Sequence, residues 1–446
     1  MMKIDLKYGR RGLGAELGSE AAVFRTRDMP AVEDPAARLR QCLDRPIGTP
    51  PLHKIAAGRQ DACIVVSDVT RPVPNKVLLP PIIEELKRAG IPSRRIRLLV
   101  ATGIHRAPTG EELIEILGRE IPADCPVISH DARDPASVAR IGRTSRGTPI
   151  EINRNYLESD LKLVVGLVEP HLMAGYSGGR KSVAIGLTSI ESVKHLHATE
   201  FLEHPGAENC ELDNNPLHME LTEIARTAGV DFCVSVAIDA SRRMGGIFCG
   251  ELVQSHRAAC EFARRFCTVS VERPFDIVVT TGGGYPLDTT YYQAAKGLVG
   301  ALGILSPGGS IILASECSHG LGTAEFRRVL EHLHACKDYG EFIEHISNPD
   351  NFVIDQWGVE MLVKAFRRGK IYLYSPGIPE KDWPLTGVTR IGSVEEGLSL
   401  ATRRSGPAAR IAVVPEGPYV IPMVDDTATK TAPLSQDGSN ESSYVD

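Results

Sequence analysis

The sequence predicts an α/β protein of two domains, each with a mostly parallel sheet flanked by helices. Its 446 residues exceed a single domain of about 100–200 residues. Short apolar runs, typical of strands buried in parallel sheets, alternate along the chain with polar loops and helical patterns. Several of the loops that follow these runs carry glycine, histidine and basic residues. Ligands bind beyond the carboxyl ends of the strands in such sheets, so these loops are expected to form one site.

The first predicted domain, residues 1–272, contains three apolar runs that predict buried strands: Ala62–Ser67, Ile96–Ala101 and Leu161–Val168. A helix is predicted over Leu78–Ala89, because the prolines of DVTRPVPN stop the first strand and Gly90 is a common helix end. A second helix is predicted to begin after Thr109, because two glutamates follow in what would be its first turn.

The second predicted domain, residues 273–424, begins near Pro274. Strands are predicted over Phe275–Thr280 and Ser310–Ala314, separated by the polar segment TGGGYPLDTTYYQAAKG. Residues 425–446 are polar, and this composition predicts a disordered tail.

Composition argues against several classes of protein. Lys and Arg number 50 against 56 Asp and Glu, and no basic stripe predicts a nucleic-acid partner. The ten cysteines are scattered without a Cys-x-x-Cys pair, which argues against structural zinc and a disulfide framework. The beginning of the chain does not resemble a signal peptide, and no apolar run approaches the ~20 residues of a membrane helix. We therefore expect a cytoplasmic protein with no membrane association.

The segment SGGRKS suggests a phosphate-binding turn. Glycines let a backbone approach a phosphate, and a following helix start presents free N–H groups to it. The spacing is not that of a Walker loop. The alternative is a tight turn with a surface arginine and lysine. On the first interpretation, the residues that bind the cofactor include Ser177, Gly178, Gly179 and Arg180.

Two histidines, His105 in TGIHR and His171 in VEPHLM, each follow a predicted strand. Imidazoles titrate near neutrality, so a pair on opposite faces of a substrate can give and take protons. The alternative for either one is a solvated or hydrogen-bonded loop residue. His195 and His197 lie close together further along the chain, and one of them is a possible ligand for nickel, copper or zinc.

Basic and polar side chains in two other loops could hold an anion. Arg71 lies beside Asp68 in SDVTRP, and its guanidinium suits a carboxylate or phosphate. Gln293 and Lys296 are three residues apart, so on a helix they face the same way, although a solvated helix face is the alternative. Motifs of zinc hydrolases, nicotinamide enzymes and serine hydrolases are absent. The residues alone leave the reaction open.

At these loops the sequence resembles the nickel-dependent lactate racemase family, whose members carry a nickel-pincer nucleotide. The resemblance extends over most of the chain, through SDVTRPVPN, ATGIHRAPTGEE, SHDARD, VEPHLMAGYSGGRKSVAIG and GGGYPLDTTYYQAAKG to VVPEGPYVIP. It implies a 2-hydroxy-acid racemase or epimerase that moves hydride from the substrate carbon to the cofactor while a histidine takes the hydroxyl proton. It also implies that enzymes of cofactor synthesis supply the nucleotide, and that the active site lies in the cleft between the domains.

The resemblance assigns a role to each matching residue. Lys181 matches the lysine that tethers the cofactor covalently, and His197 matches the nickel ligand. His105 and His171 match the acid/base pair. The matches to groups around cofactor and substrate are Asp68 and Thr70 for the nucleotide, Arg71, Gln293 and Lys296 for the substrate, and Tyr292 and Trp357 for the shape of the cleft. A buried core position is the alternative for Trp357.

The expected substrate is a small, lactate-like 2-hydroxy acid. Two alternatives stay open at this point. One is a 2-epimerase of a sugar acid such as an aldonate. The other, from a different class, is a non-catalytic protein that binds the nickel nucleotide.

Overall fold

The computed structural model describes residues 2–18, 20–239 and 241–425. The predicted disordered tail lies outside the described residues except for Asp425. The strands are β1 (Met2–Leu6), β2 (Leu13–Leu17), β3 (Ala22–Val23), β4 (Ala62–Ser67), β5 (Ile96–Ala101), β6 (Val127–Ser129), β7 (Val138–Arg143), β8 (Pro149–Asn153), β9 (Leu161–Leu167), β10 (Pro170–His171), β11 (Gly175–Tyr176), β12 (Phe232–Ile238), β13 (Met244–Gly250), β14 (Thr268–Val271), β15 (Phe275–Thr281), β16 (Leu305–Ala314), β17 (Lys370–Tyr374), β18 (Thr389–Arg390), β19 (Ile411–Val414) and β20 (Ile421–Val424).

The α-helices are α1 (Pro35–Asp44), α2 (Leu52–Ala56), α3 (Asn75–Arg88), α4 (Gly110–Leu117), α5 (Arg154–Leu157), α6 (Arg180–Ala184), α7 (Ile190–Leu196), α8 (Thr199–Leu202), α9 (Pro216–Ala228), α10 (Leu252–Cys267), α11 (Tyr291–Ala301), α12 (Ala324–Ala335), α13 (Tyr339–Ser347), α14 (Gln356–Arg368) and α15 (Val394–Ser405). Among the described residues, no helix is both long enough and apolar enough to cross a membrane.

The first sheet has the strand order β13-β12-β9-β4-β5-β6 in the described part of the chain. Its strands run parallel except for β13, which pairs antiparallel with β12 at one edge. Helices cover both faces: α1 to α4 pack on one and α6, α7 and α9 on the other. Because both faces are covered, β4 has no amphipathic alternation, and its first five residues are all buried.

The second sheet has the order β18-β17-β16-β15-β19-β3 within the described ranges, and its strands are parallel. Its last strand comes from the beginning of the chain, where Ala22 pairs with Ala412. The hairpin β1-β2 buries Ile4 and Leu17 in the same core as Ile277 of this sheet. The sequence analysis placed this segment in the first domain, 1–272, and the strand pairing corrects that assignment. The boundary near residue 272 otherwise stays a prediction.

The predicted elements around the site are confirmed. Ala62–Ser67 and Ile96–Ala101 are strands with the expected bounds, and Thr109 caps α4 with Glu112 in a capping box. The helix predicted from Leu78 begins earlier, at Asn75, and contains Pro80 and Pro81.

A carboxyl group is buried without a partner where α14 meets α8. Glu360 is fully buried, and neither of its carboxylate oxygens has a hydrogen-bond partner among the described residues. Burial, and then the charge of Glu203, raise the pKa of Glu360 to about 8. Between about pH 4.5 and pH 8, Glu360 is therefore protonated in the folded protein but ionised in the unfolded chain.

Burial of Glu360 should make the folded protein less stable as pH rises, and the Glu360→Gln variant should lack this pH dependence. In the parent, the stability due to the protonated carboxyl is fully present below about pH 4.5 and is lost as pH rises through about 8. Between these values the slope reaches at most about 1.4 kcal/mol per pH unit. Urea unfolding at several pH values should show a flatter profile for Glu360→Gln, with its advantage above pH 8. Parallel profiles for the two proteins would contradict the assignment, and Glu344→Gln on the exposed side of α13 is the control.

Candidate active site

Three polar loops meet at the carboxyl ends of neighbouring strands. Asp68 follows β4, His105 follows β5 and Glu169 follows β9, and these strands are adjacent in the order β9-β4-β5. His105 Nδ1 lies 2.7 Å from Asp68 Oδ2, and Arg71 Nη1 lies 2.6 Å from Glu169 Oε1. The predicted convergence of these loops on one place is confirmed.

Asp68 fixes the orientation of His105. Asp68 Oδ1 accepts hydrogen bonds from the Thr70 hydroxyl at 2.6 Å and its backbone N–H at 3.2 Å, while Oδ2 accepts from His105 Nδ1. Burial raises the pKa of the Asp68 carboxyl, but the hydrogen bonds from His105 and Thr70 outweigh it and the pKa is lowered. A charged carboxylate keeps the proton of His105 on Nδ1, so the Nε2 lone pair is available as a base. Both groups predicted to support the nucleotide, Asp68 and Thr70, are thus engaged with His105 and with each other.

Changing Asp68 to asparagine is expected to move the proton of His105 from Nδ1 to Nε2. Thr70 N–H needs an acceptor, so the amide oxygen should stay on its side and the NH2 group should face His105 Nδ1. His105 would then carry its proton on Nε2 and lose its function as a base. We expect activity to fall about 10² to 10⁴-fold. Asp68→Ala, which imposes no proton position, should retain more activity than Asp68→Asn, and the reverse order would contradict this explanation.

In His171, unlike in His105, the Nδ1 atom accepts hydrogen bonds instead of donating one. Its Nδ1 accepts hydrogen bonds from the backbone N–H groups of Met173 at 3.3 Å and Ala174 at 3.2 Å. Burial, followed by the positive charge of Lys181, lowers the pKa of His171 well below its ordinary value. His171 is therefore neutral and carries its proton on Nε2.

Arg71 and Lys296 are cations close to Lys181, beside these histidines. Burial lowers the pKa of Lys181 well below its ordinary value, and the charges of Arg71, Arg180 and Lys296 lower it further. Burial and Arg71 lower the pKa of Lys296 to about 8. The lowered pKa favours the neutral, nucleophilic form of the Lys181 amine, and the charges of Arg71 and Lys296 attract anions.

His197 is arranged as a metal ligand. Its Nδ1 donates to the backbone oxygen of Val193 at 2.9 Å, which leaves the Nε2 lone pair free. Burial lowers the pKa of His197 to about 4, so the ring is neutral. His195, by contrast, is partly exposed and lies 3.7 Å from Glu191 on its own helix. The sequence left both histidines open, and the contacts favour His197.

The remaining candidate site residues lie in the second unit, which is the second predicted domain, residues 273–424. The Trp357 ring of α14 lies 4.3 Å from the His197 ring, centroid to centroid, and its Nε1 donates to Tyr292 Oη at 2.9 Å. Trp357 is only 5% exposed, so it is a buried aromatic that also contacts the site. On α11, Gln293 Oε1 is buried without a partner among the described residues, and Lys296 lies close enough to Arg71 for its pKa to respond.

The Ser177 and Arg180 side chains of SGGRKS are engaged within the protein, and binding of a phosphate by the backbone of this segment stays a prediction. Ser177 Oγ donates to Leu167 O at 2.8 Å, and Arg180 Nη2 donates to Ala174 O at 2.7 Å. Both side chains are turned into the protein, which argues against the predicted binding of cofactor by Ser177 and Arg180. Gly178 and Gly179 have positive φ, and a Cβ on Gly179 would lie 2.6 Å from the His256 ring. Packing therefore requires these glycines, and their predicted contact with the cofactor stays a prediction.

Three groups near the site were missed by the sequence analysis as functional residues. Glu169, which binds Arg71, lies directly beyond a strand and two residues before His171, a position that could have identified it. The Tyr419 phenol has its pKa raised by burial and then by Glu169, which places it near that carboxylate. Asp355 has a positive φ of 70°, and its Oδ2 accepts from Thr323 Oγ1 at 2.6 Å. Tyr419 lies in VVPEGPYVIP, one of the blocks that carry the resemblance, whereas no sequence motif indicates Asp355.

Comparison with known proteins gives a consistent family assignment. The family model of the lactate racemase N-terminal domain matches residues 8–209, and that of the C-terminal domain matches residues 271–422. The lactate racemase of Thermoanaerobacterium thermosaccharolyticum is 32% identical over 430 residues, which cover 94% of this chain and 99% of that protein. The lactate racemase of Lactiplantibacillus plantarum is 32% identical over 434 residues, 94% of this chain and 100% of that protein.

Two solved structures have the same fold as this chain. The lactate racemase apoprotein of T. thermosaccharolyticum superposes with a TM-score of 0.88 at 30% identity, covering 95% of this chain and 100% of that one. A Thermotoga maritima protein shares the fold with a TM-score of 0.66 at 18% identity, over 88% of this chain and 99% of that one. With relatives matched over nearly their whole length and both domain models present, the chain belongs to the lactate racemase family of isomerases.

Proposed function

We propose that this enzyme interconverts the enantiomers of lactate or a lactate-like 2-hydroxy acid, using a nickel-pincer nucleotide attached to Lys181. The observation that carries the proposal is a pair of histidines with opposite hydrogen-bonding polarity at Nδ1, close to Arg71 and Lys296. His105 has a free lone pair on Nε2, and His171 has a proton there. Such a pair suits a reaction that removes a hydroxyl proton on one face and returns one on the other.

The donor set fits the proposed cofactor. Lys181 offers a neutral amine for covalent attachment, and the surrounding cations favour an anionic nucleotide. His197 offers one free imidazole nitrogen, which is enough where a cofactor brings its own sulfur and carbon ligands. Within the described residues, the one His, Cys, Asp and Glu cluster with metal-binding spacing is Asp44, His53 and Glu85, on another part of the surface. When bound, the nickel nucleotide supplies an acceptor for the hydride of the substrate carbon.

The chain itself binds the substrate and moves its proton. Arg71 of the first unit and Lys296 of the second would hold the carboxylate, because they are cations close enough for Arg71 to lower the pKa of Lys296. Gln293 Oε1, buried without a partner, would accept a hydrogen bond from the substrate hydroxyl or a bound water. In one direction His105 Nε2 takes the hydroxyl proton and His171 Nε2–H donates a hydrogen bond to the reacting oxygen on the other face.

We place this site in the cleft between the two units, which we divide near residue 272. The ring contact of His197 with Trp357 and the effect of Arg71 on Lys296 both join side chains from the two sides of that boundary. Enzymes that make the nickel nucleotide are the proposed partners, because the chain needs the finished cofactor.

A chiral panel of 2-hydroxy acids would test the proposal. The chain should be co-expressed with enzymes of cofactor synthesis, and each pure enantiomer of lactate, larger 2-hydroxy acids and an aldonate should be followed by chiral chromatography. We expect lactate to approach a racemic mixture, and protein made without the synthesis enzymes to be inactive. Conversion of the aldonate alone would indicate a sugar-acid epimerase, and bound nickel without any conversion would indicate a binding protein. Nickel near zero in the co-expressed protein would exclude all of these.

A further inference from the structure

We infer that one small monovalent anion, of the size of chloride or bromide, binds in a cavity between α6, α9 and α10. The cavity has a volume of about 10 Å³ and is lined by Arg180, His218, His256 and Arg257, with Leu252 and Val253 as its apolar wall. A space of this size is at the lower limit for one water molecule, so a halide enters only with a small outward shift of the lining side chains, and a phosphate is too large. The inference does not depend on the proposed reaction, because the side-chain hydrogen bonds of Arg180 are with His256 and Ala174 O and not with the acid/base histidines.

The strongest reason is the unbalanced charge of Arg180. Its side chain is 2% exposed, and no ion pair with a carboxylate is present for it among the described residues. Nη2 donates to Ala174 O at 2.7 Å, whereas Nε is buried without an acceptor. A buried guanidinium that lacks a counter-ion is strongly unfavourable, since desolvation is not offset by an opposite charge.

The neighbouring histidines do not supply the missing acceptor. His256 Nε2 lies 3.0 Å from Arg180 Nη1 and 2.8 Å from Ser177 O. One ring nitrogen can accept from the first or donate to the second, but not both. His218 Nδ1 is also buried without a partner in the described part of the chain. Among the described residues, the cavity wall therefore contains one certain N–H donor without an acceptor, Arg180 Nε, and no carboxylate that balances its charge.

An anion satisfies these groups better than a water molecule does. A halide accepts several N–H hydrogen bonds and cancels the guanidinium charge, whereas water leaves the charge in place. Arg257 adds positive potential at the rim, where it is paired with the exposed Asp213. The apolar wall favours a weakly hydrated ion over a strongly hydrated one.

Thermal unfolding of the full-length chain would test the site in solution. At equal ionic strength, sodium bromide should raise the unfolding midpoint by roughly 2 °C or more over sodium methanesulfonate, whose anion is too large for the cavity. His218→Leu should lose most of this difference. Lys296→Gln, which removes a cation of the proposed active site instead, should keep it. An equal difference in His218→Leu, or none in the parent, would overturn the inference.

Bromide in crystals would test the position of the ion, and it needs no variant. We expect an anomalous peak within hydrogen-bond distance of Arg180 Nε. An ordered water without anomalous signal would contradict the inference. A peak without any bromide-specific stabilisation in solution would mean an adventitious ion only.

Discussion

Replacing Lys181 by alanine is expected to abolish covalent attachment of the cofactor and, with it, the proposed activity. Burial and the charges of Arg71, Arg180 and Lys296 favour the neutral form of the Lys181 amine, which makes it the most nucleophilic amine of the site. Lys296, whose pKa is lowered only to about 8, is less suited to attachment. Intact-protein mass spectrometry of protein co-expressed with the synthesis enzymes should show the cofactor mass on the parent and not on Lys181→Ala.

The stability of cofactor-free protein gives a second readout for the same variant. A lysine with a lowered folded-state pKa binds fewer protons when folded, so its burial destabilises the protein below about pH 10, where the unfolded chain is protonated. Lys181→Ala should therefore unfold at a higher temperature than the parent at pH 7 when both lack cofactor. Lys194→Ala, on the exposed side of α7, is the matched control and should change neither mass nor midpoint. An unchanged cofactor mass on Lys181→Ala would place the attachment elsewhere.

The strands that carry the site were predictable because they are buried on both faces. β4 and β5 are parallel strands between two helical layers, so they appear in the sequence as continuous apolar runs. The loops after them could be located for the same reason. By contrast, β3 has two residues and is defined only by its pairing with β19, which follows almost four hundred residues later. Nothing local in the sequence indicates such a strand.

The partners of individual side chains were not predictable, because they depend on tertiary contacts. Asp68 and His105 are 37 residues apart, and only the adjacency of β4 and β5 brings them together. Arg180 and Lys181 are neighbours in sequence, but the Arg180 side chain bonds to His256 and Ala174 O, whereas the pKa of Lys181 responds to Arg71 and Lys296. The SGGRKS motif thus indicated which segment lies at the active site, while the geometry of the helix determined which of its two basic residues lies close to Arg71 and Lys296.

The two acid/base histidines are expected to respond unequally to the same substitution. Glutamine can replace a hydrogen-bond donor but not a base. His105→Gln removes the free Nε2 lone pair that Asp68 maintains, and activity should fall about 10² to 10⁴-fold. His171→Gln keeps an N–H donor where His171 presents Nε2–H, so its loss should be at least about tenfold smaller. His171→Ala, which supplies no donor, should be less active than His171→Gln.

Both variants should keep nickel and the covalent cofactor, since the hydrogen bonds of the two Nδ1 atoms are with Asp68 and with backbone N–H groups, whereas that of His197 is with Val193 O. Initial rates should be measured from each enantiomer separately, with nickel content determined on the same samples. Because the equilibrium constant between two enantiomers is one, each variant must lower kcat/KM equally from either enantiomer, so the informative comparison is the larger loss for His105→Gln than for His171→Gln. Equal losses for the two glutamine variants in both directions would show that bound substrate shifts the proton of His171 to Nδ1, breaking its two backbone hydrogen bonds.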